Sequence, residues 1–428
     1  MRDTEHPAER TVSLDPAHDV RVDPTTKGFP AVDAPIPLAE VAEQRWSLED
    51  LLPPALVLRE AALAHNIALM AGYCASHGVE LAPHGKTTMA PQLWRRQLDA
   101  GAWGITAATI AQARVMLAAS VPRVLIANEV TDPTAVGWIA AQLRDPGSEI
   151  VCSVDSKSGV ELLAAGTEGT ARPLPVLVEL GHPGGRGGCR TEGEAVEVAR
   201  SVQAETGLVL AGATGYEGTI CDGRTSACRD EVRAFLDRLA TLTVRLRNDG
   251  LVETEEAWVS AGGSEFFDLV VERLREPGDV ADRVILRSGS YVAHDSGKHE
   301  REAPFADRDR EHRFHPAIEA WGAVLSRPEP ELAILGFGRR DVPFDQDLPV
   351  PFAVRRRSGE RLGVTGKLVV ERLNDQHAYA RMSSDLALEP GDLVGCGISH
   401  PCTAFDKWRV IPVLDDDDRV IDAVATYF

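Results

Sequence analysis

No CxxC pair occurs among the seven cysteines, Cys74, Cys152, Cys189, Cys221, Cys228, Cys396 and Cys402. An odd count spread over 428 residues does not resemble a disulfide framework, and a reducing compartment fits it best. No apolar run approaches the length of a membrane span, and the opening MRDTEHPAERTVSLDP lacks the apolar core of a signal peptide. Positive charge is short as well: 45 Lys and Arg face 65 Asp and Glu, a net charge of -20. That balance repels phosphate backbones and anionic lipid head groups over a Debye length, which argues against nucleic-acid and membrane partners. A cytoplasmic protein acting on a small molecule is the expectation.

The chain is long enough for two or three domains, and a hydrophobic share of 44 % fills a large core. Residues 1–50 are polar and proline-rich and are expected to be an N-terminal extension. Pro54–Leu58 (PALVL) reads as a short buried strand, followed by the helical pattern AALAHNIALMAGYCASHG. Short apolar runs then alternate with helix-like segments: VELAPHGK (79–86), WGITAA (103–108), RVLIANE (123–129), EIVCSVDS (149–156), LPVLVELG (174–181), LAGATGYEG (210–218), EAWVSAGGS (256–264) and RVILRSGSY (283–291). Such alternation means βα units in a parallel sheet. Eight strands suggest a closed (β/α)8 barrel over 51–300, with a doubly wound open sheet as the alternative. The charged stretch 296–316 is expected to be a solvated loop. Beyond Ala317 the strands are separated by glycine, proline and charged turns, so 301–428, joined by the strand near 54–58, is expected to be a mostly β domain. Four acids, Asp415 to Asp418, read as a hairpin turn rather than a metal site.

In barrels the working residues sit at the C-terminal ends of strands. Lys86, in PHGKTTMAP, holds such a place after the first strand, and a desolvated lysine near other cations loses its proton readily enough to attack a carbonyl. The glycine-bearing ends SAGGSE (260–265) and RSGSY (287–291) follow the seventh and eighth strands, where barrels commonly cradle a phosphate on backbone N–H groups; Gly262, Gly263, Ser290 and Tyr291 are the candidates. Each alone is also a plain turn sequence.

These segments resemble a known family. PALVLREAALAHNI, PHGKTT, AGAWGITAATIAQARVM and the closing HPCTAFDKWRVIPVLDDDDRVIDAVATYF are similar to the D-serine dehydratase and D-threonine aldolase family, pyridoxal 5'-phosphate (PLP) enzymes of the alanine racemase-like fold type III. The resemblance covers most of 50–428. It implies that Lys86 of Pro83-His84-Gly85-Lys86-Thr87 carries PLP as a Schiff base, with His84 beside it. It also implies an arginine near the cofactor's phenolic oxygen, either Arg186 or Arg190 of GHPGGRGGCR, and a cofactor-contacting tyrosine, Tyr216.

His400 and Cys402 in SHPC stand at i and i+2, which on an extended strand puts both side chains on one face. Imidazole plus thiolate favours Zn2+, and two protein ligands leave positions open for chemistry. Cys396 reads as a small buried residue. The resemblance places the metal ligands of the dehydratase-like members at such a His-x-Cys, whereas aldolase-like members carry Asp in place of the Cys. The implied function is elimination of water from a β-hydroxy D-amino acid, D-serine giving pyruvate and ammonia. Alternatives are a D-threonine aldolase, which releases glycine and an aldehyde, and a PLP-binding regulatory or carrier protein. A homodimer is implied too, its active sites lying between one barrel and the partner's β domain.

Overall fold

A computed structural model describes residues 13–275 and 279–428. All eight expected barrel strands are present: Glu80–Leu81, Ile105–Ala107, Arg123–Glu129, Glu149–Val154, Leu174–Leu180, Leu208–Gly215, Trp258–Ala261 and Arg283–Leu286. They pair in parallel in that order, the eighth also with the first. The first and second strands close the ring through Trp103 N–H to Leu81 O, 2.7 Å, and Thr106 N–H to Pro83 O, 2.9 Å. The barrel therefore replaces the open-sheet alternative.

The ring is filled from below. One residue from or beside each strand, Ala82, Trp103, Leu125, Val151, Leu177, Ala211, Trp258 and Ile285, packs into an inner cluster separate from the large core between strands and helices. Side chains alternate across a strand with a period of two. Two places on from this layer, Ile105 and Ala213 turn into the large core, whereas six of the eight strands present His84, Ala127, Ser153, Glu179, Ser260 and Arg287, and on the third strand four places on stands Glu129. Polar residues thus sit above an apolar plug, and the C-terminal mouth stays open for a site.

The second domain is a ten-stranded sheet in which Ala55–Arg59 pairs antiparallel with Ile318–Glu329 and parallel with Val410–Leu414. Its strand precedes the barrel in sequence yet belongs to the other domain. The folded body also begins earlier than residue 51: Val22, Phe29, Leu38, Val41 and Leu48 are buried against Ala55, Val57, Trp321 and Val420. These apolar residues stand singly among prolines and short 3-10 turns, so no period marks them. The first twelve residues of the expected extension lie outside the described residues.

Asp415 to Asp418 form the turn between Val410–Leu414 and Val420–Ala425, as expected. Asp418 does more: it is buried and accepts from Arg59 at 2.6 Å, from Arg361 at 3.3 Å and from Arg355. One pair of cysteines departs from the expectation of isolated thiols. Cys221 and Cys228 are bonded, Cα atoms 5.8 Å apart, tying the loop after the sixth barrel strand to the first turn of the helix Ser226–Asn248. The other five are free. No helix among the described residues is long and apolar enough to cross a membrane.

Candidate active site

A cavity of about 470 Å3 occupies the barrel mouth, lined by Lys86, His84, Arg186, Tyr216, Gly262, Gly263, Ser290, His400 and Cys402 among others. Arg190 and Tyr291 are not among the lining residues, and the other candidates meet at one place. The Tyr291 side chain turns into the core, where its hydroxyl accepts from Gln97 at 2.9 Å. Both domains of a single chain supply the lining; the expectation that the β-domain part comes from a partner is not needed for these residues.

Lys86 lies in a short 3-10 turn, Gly85–Thr87, directly after the first strand. Burial pulls its pKa below that of an exposed lysine; Arg186 and Arg287 act in the same direction, and Cys402 opposes them. His84 is held well below the usual imidazole range by burial, with Lys86 and Arg287 adding to the effect. It is therefore neutral, and its buried Nδ1 has no hydrogen-bond partner among the described residues. A Cβ on Gly289 would stand 2.5 Å from the His84 carbonyl, so only glycine lets the eighth-strand loop pass here. An orphaned imidazole nitrogen, a desolvated lysine and this close backbone approach fit a planar, carbonyl-bearing cofactor bound on Lys86.

The two candidate arginines have separate roles. Arg190 gives its guanidinium to the carbonyls of Gly185, Arg186, Gly187 and Gly188 at 2.6–3.2 Å and so ties the glycine-rich loop together. Arg186 is left to face the cavity, its guanidinium 5.3 Å from the centre of the Tyr216 ring. Burial raises the Tyr216 pKa, with Glu217 adding to it.

The glycine cradle needs correction. The N–H groups of Gly262 and Gly263 already donate to the carboxylate of buried Glu217, at 3.1 and 2.6 Å. An anion is held there, but it is the protein's own. Ser290 begins a 3-10 turn, Ser290–Val292, and its hydroxyl lies 2.6 Å from that of Ser264.

His400 and Cys402 do converge, though not as alternate residues of a strand. The strand ends at Gly397, His400 adopts a left-handed φ of 57°, and Cys402 opens a short helix, Cys402–Phe405. The imidazole is in hydrogen-bonding contact with the thiol, and its Nδ1 is bound to the Asp345 carboxylate. These partners raise the His400 pKa to about 9, Cys402 most, then Asp345. Thr87 Oγ1, next to Lys86, is 3.3 Å from Cys402 Sγ. The donor set suits a borderline cation such as zinc, with one nitrogen of the ring oriented by a carboxylate behind it. No group of three or more His, Cys, Asp or Glu side chains placed to hold a metal ion by themselves is found among the described residues.

Several lining residues were missed. Glu129, Glu179 and Arg287 all lie on the inward side of strands, and alternation counted from the apolar layer would have found them. Arg287 is buried and donates to Thr214 Oγ1, Ser260 Oγ and the Gly215 carbonyl; burial lowers its pKa, and Glu179 and Glu217 offset the effect. Burial and the neighbouring Glu179 and Asp155 push Glu129 up to about 7. The supposed solvated loop is also wrong in part: Lys298 and His299 line the cavity, and His299, Phe305 and Phe314 are buried. The Lys298 ammonium is held locally by Asp222 and Glu265, so it packs at the barrel mouth as a paired charge.

Comparison with known proteins finds relatives of both domains. Residues 58–267 match the model of the alanine racemase N-terminal domain, and residues 317–414 that of the "Putative serine dehydratase domain". The D-threonine aldolase of Arthrobacter sp is 27% identical over 342 residues, covering 79% of this chain and 80% of that protein. The D-threo-3-hydroxyaspartate dehydratase of Delftia sp. (strain HT23) is 28% identical over 245 residues, 52% of this chain and 63% of that protein. The crystal structure of D-threonine aldolase from Filomicrobium marinum superposes with a TM-score of 0.74 at 26% identity, covering 89% of this chain and 97% of that one.

Proposed function

The chain belongs to the D-serine dehydratase and D-threonine aldolase family, and from that premise we propose that it is a PLP- and zinc-dependent lyase that removes water from a β-hydroxy D-amino acid, D-serine yielding pyruvate and ammonia. The observation that carries this reading is the meeting of Lys86 with His400 and Cys402 in one cavity. When bound, PLP supplies an electron sink for charge left at the substrate α-carbon, and zinc supplies a Lewis acid for the β-oxygen. The chain's own residues do the rest. Lys86 Nζ is desolvated and flanked by Arg186 and Arg287, so it sheds its proton more readily than an exposed lysine and can take the α-proton. Asp345 holds His400 through Nδ1, which turns the rest of the ring toward Cys402. Thr87 joins the Lys86 turn to the thiol, fixing the separation between proton removal and leaving-group activation.

A second reading, cleavage of the Cα–Cβ bond, is favoured by one observation: a relative matched over 79% of this chain is a D-threonine aldolase. The residue against it is Cys402, because the aldolase-like members resemble this site with Asp there. Product analysis separates the readings. Purified protein loaded with PLP and zinc should release pyruvate from D-serine, and borohydride reduction should place the pyridoxyl label on Lys86. Glycine released from D-threonine as the main product would establish the aldolase instead, and neither product, with PLP bound, would indicate a carrier.

A further inference from the structure

With the glycine N–H groups taken by Glu217, the wall between the seventh and eighth strands offers a different feature to an anion. Ser264 Oγ, Ser290 Oγ, the His299 ring and the Asp295 carboxylate form one line. Ser290 Oγ is 2.6 Å from Ser264 Oγ and 3.1 Å from His299 Nε2, and His299 Nδ1 is 2.5 Å from Asp295 Oδ2. Asp295 is fully buried, and its other oxygen accepts from the N–H groups of Gly297 and His299 at 2.8 and 3.0 Å. Three members, Ser264, Ser290 and His299, face the cavity.

The direction of this line depends on a single proton. Asp295 only accepts, so it fixes hydrogen on His299 Nδ1 and leaves Nε2 as the variable atom. With Nε2 bare, Ser290 must donate to it and Ser264 must donate to Ser290. The line then shows the cavity a lone pair. With Nε2 protonated, the ring donates to Ser290, Ser290 donates to Ser264, and the Ser264 hydrogen is released toward the cavity. One proton on His299 converts an acceptor wall into a donor wall backed by an imidazolium.

Other charges near His299 are already engaged. Lys298 is held by Asp222, Glu265 and Glu302; His294 faces Glu300; Arg301 pairs with Asp347; Arg287 is spent on Thr214, Ser260 and Gly215. Among the described residues Asp295 is the one carboxylate in contact with the His299 ring.

We propose that Asp295, His299, Ser290 and Ser264 form a proton-set receptor for a doubly charged tetrahedral anion at the barrel mouth, with His299 as a positioning residue acting through the two hydroxyls. That the anion is the phosphate of PLP rests on the function proposed above; the receptor itself does not. Sulfate is the first probe, since it carries two charges and does not titrate near neutrality. Calorimetry of the cofactor-free protein in buffers of different ionisation enthalpy should show a proton taken up as sulfate binds. His299→Gln and Ser290→Ala should each weaken sulfate by about 10–100-fold, the loss of a charge-assisted hydrogen bond, and His299→Gln should abolish the proton uptake. Sulfate binding with no proton uptake, or equal binding by Ser290→Ala, overturns the receptor. Wild type that binds no sulfate at concentrations up to 50 mM, about physiological ionic strength, overturns it too. A second arm compares PLP with pyridoxal, which lacks the phosphate: His299→Gln should weaken PLP and leave pyridoxal unchanged. Equal loss of both marks general damage to the fold and counts against the proposal. If the sulfate results hold but wild type takes up no PLP, the proposed function fails and the receptor stands.

Discussion

Glu129→Gln tests whether the barrel interior carries a carboxyl that ionises at a cost. Glu129 faces Glu179 and Asp155 above the apolar layer, its Oε1 has no partner among the described residues, and burial followed by those two neighbours moves it from its ordinary 4.5 to about 7. Because the folded value is raised, the folded protein holds a proton between about 4.5 and 7 that the unfolded chain releases. Stability is thus fully present below that window and falls as the pH rises through it. The ceiling is on the order of 3 kcal/mol at alkaline pH. Water at the cavity mouth screens the charge and the proton is shared with Glu179, so about 1–2 kcal/mol is the expected loss. Glutamine keeps the shape and donates to Glu179 without ionising. In thermal melts of the cofactor-free protein at pH 8 the variant should exceed wild type by roughly 2–8 °C, at about 2–4 °C per kcal/mol for a unit of the barrel's size. The gain should shrink toward zero by pH 5. An equal gain at both pH values would show a packing effect, and no gain at pH 8 would show that Glu129 ionises freely; either result refutes the reasoning.

Cys402→Ala should retain PLP absorbance while D-serine dehydration falls by about 100-fold or more, measured as pyruvate release, since anchoring and leaving-group activation use different groups. Asp345→Asn should weaken zinc by about 10–100-fold in a chelator competition, because the carboxylate that orients His400 is lost; unchanged affinity would detach Asp345 from the metal. Arg190→Ala should cost about 2–4 kcal/mol and open the loop 182–189 to limited proteolysis, because four carbonyls lose their shared donor, whereas Arg186→Ala should leave the loop resistant.

The barrel was legible because each of its strands is a short apolar run bounded by a turn residue, and such runs leave a local trace whatever they pack against. The N-terminal segment was not. Phe29, Leu38 and Leu48 are buried by contact with strands hundreds of residues away, between prolines and 3-10 turns that impose no period. Spacing alone cannot distinguish such a strap from a solvated tail. The same holds for 294–305, where Asp295, Lys298 and His299 are charged in sequence yet paired in space.

At the site, the residues that sequence identified were those with a peculiar local setting: a lysine just past a strand end, glycine pairs, a histidine two places from a cysteine. What it could not show is which groups cancel one another. Gly262 and Gly263 have the sequence of a phosphate cradle, and Glu217 fills that cradle from a different strand end. Arg190 and Arg186 are four residues apart in the same glycine-rich loop, and only their partners separate the brace from the residue that faces the cavity. His400 and Cys402 met as anticipated but by another path, a left-handed turn into a helix in place of an extended strand. Spacing along a chain constrains which residues can meet; the hydrogen-bond partner that each finds decides whether it remains available to a ligand. Asp345, Glu217 and Asp295 are all carboxylates, and each spends itself orienting something else, a ring, a pair of amides, a second ring. Lys86, Arg186 and the Ser264 hydroxyl all open onto the one cavity, and the chemistry proposed for this barrel is placed there.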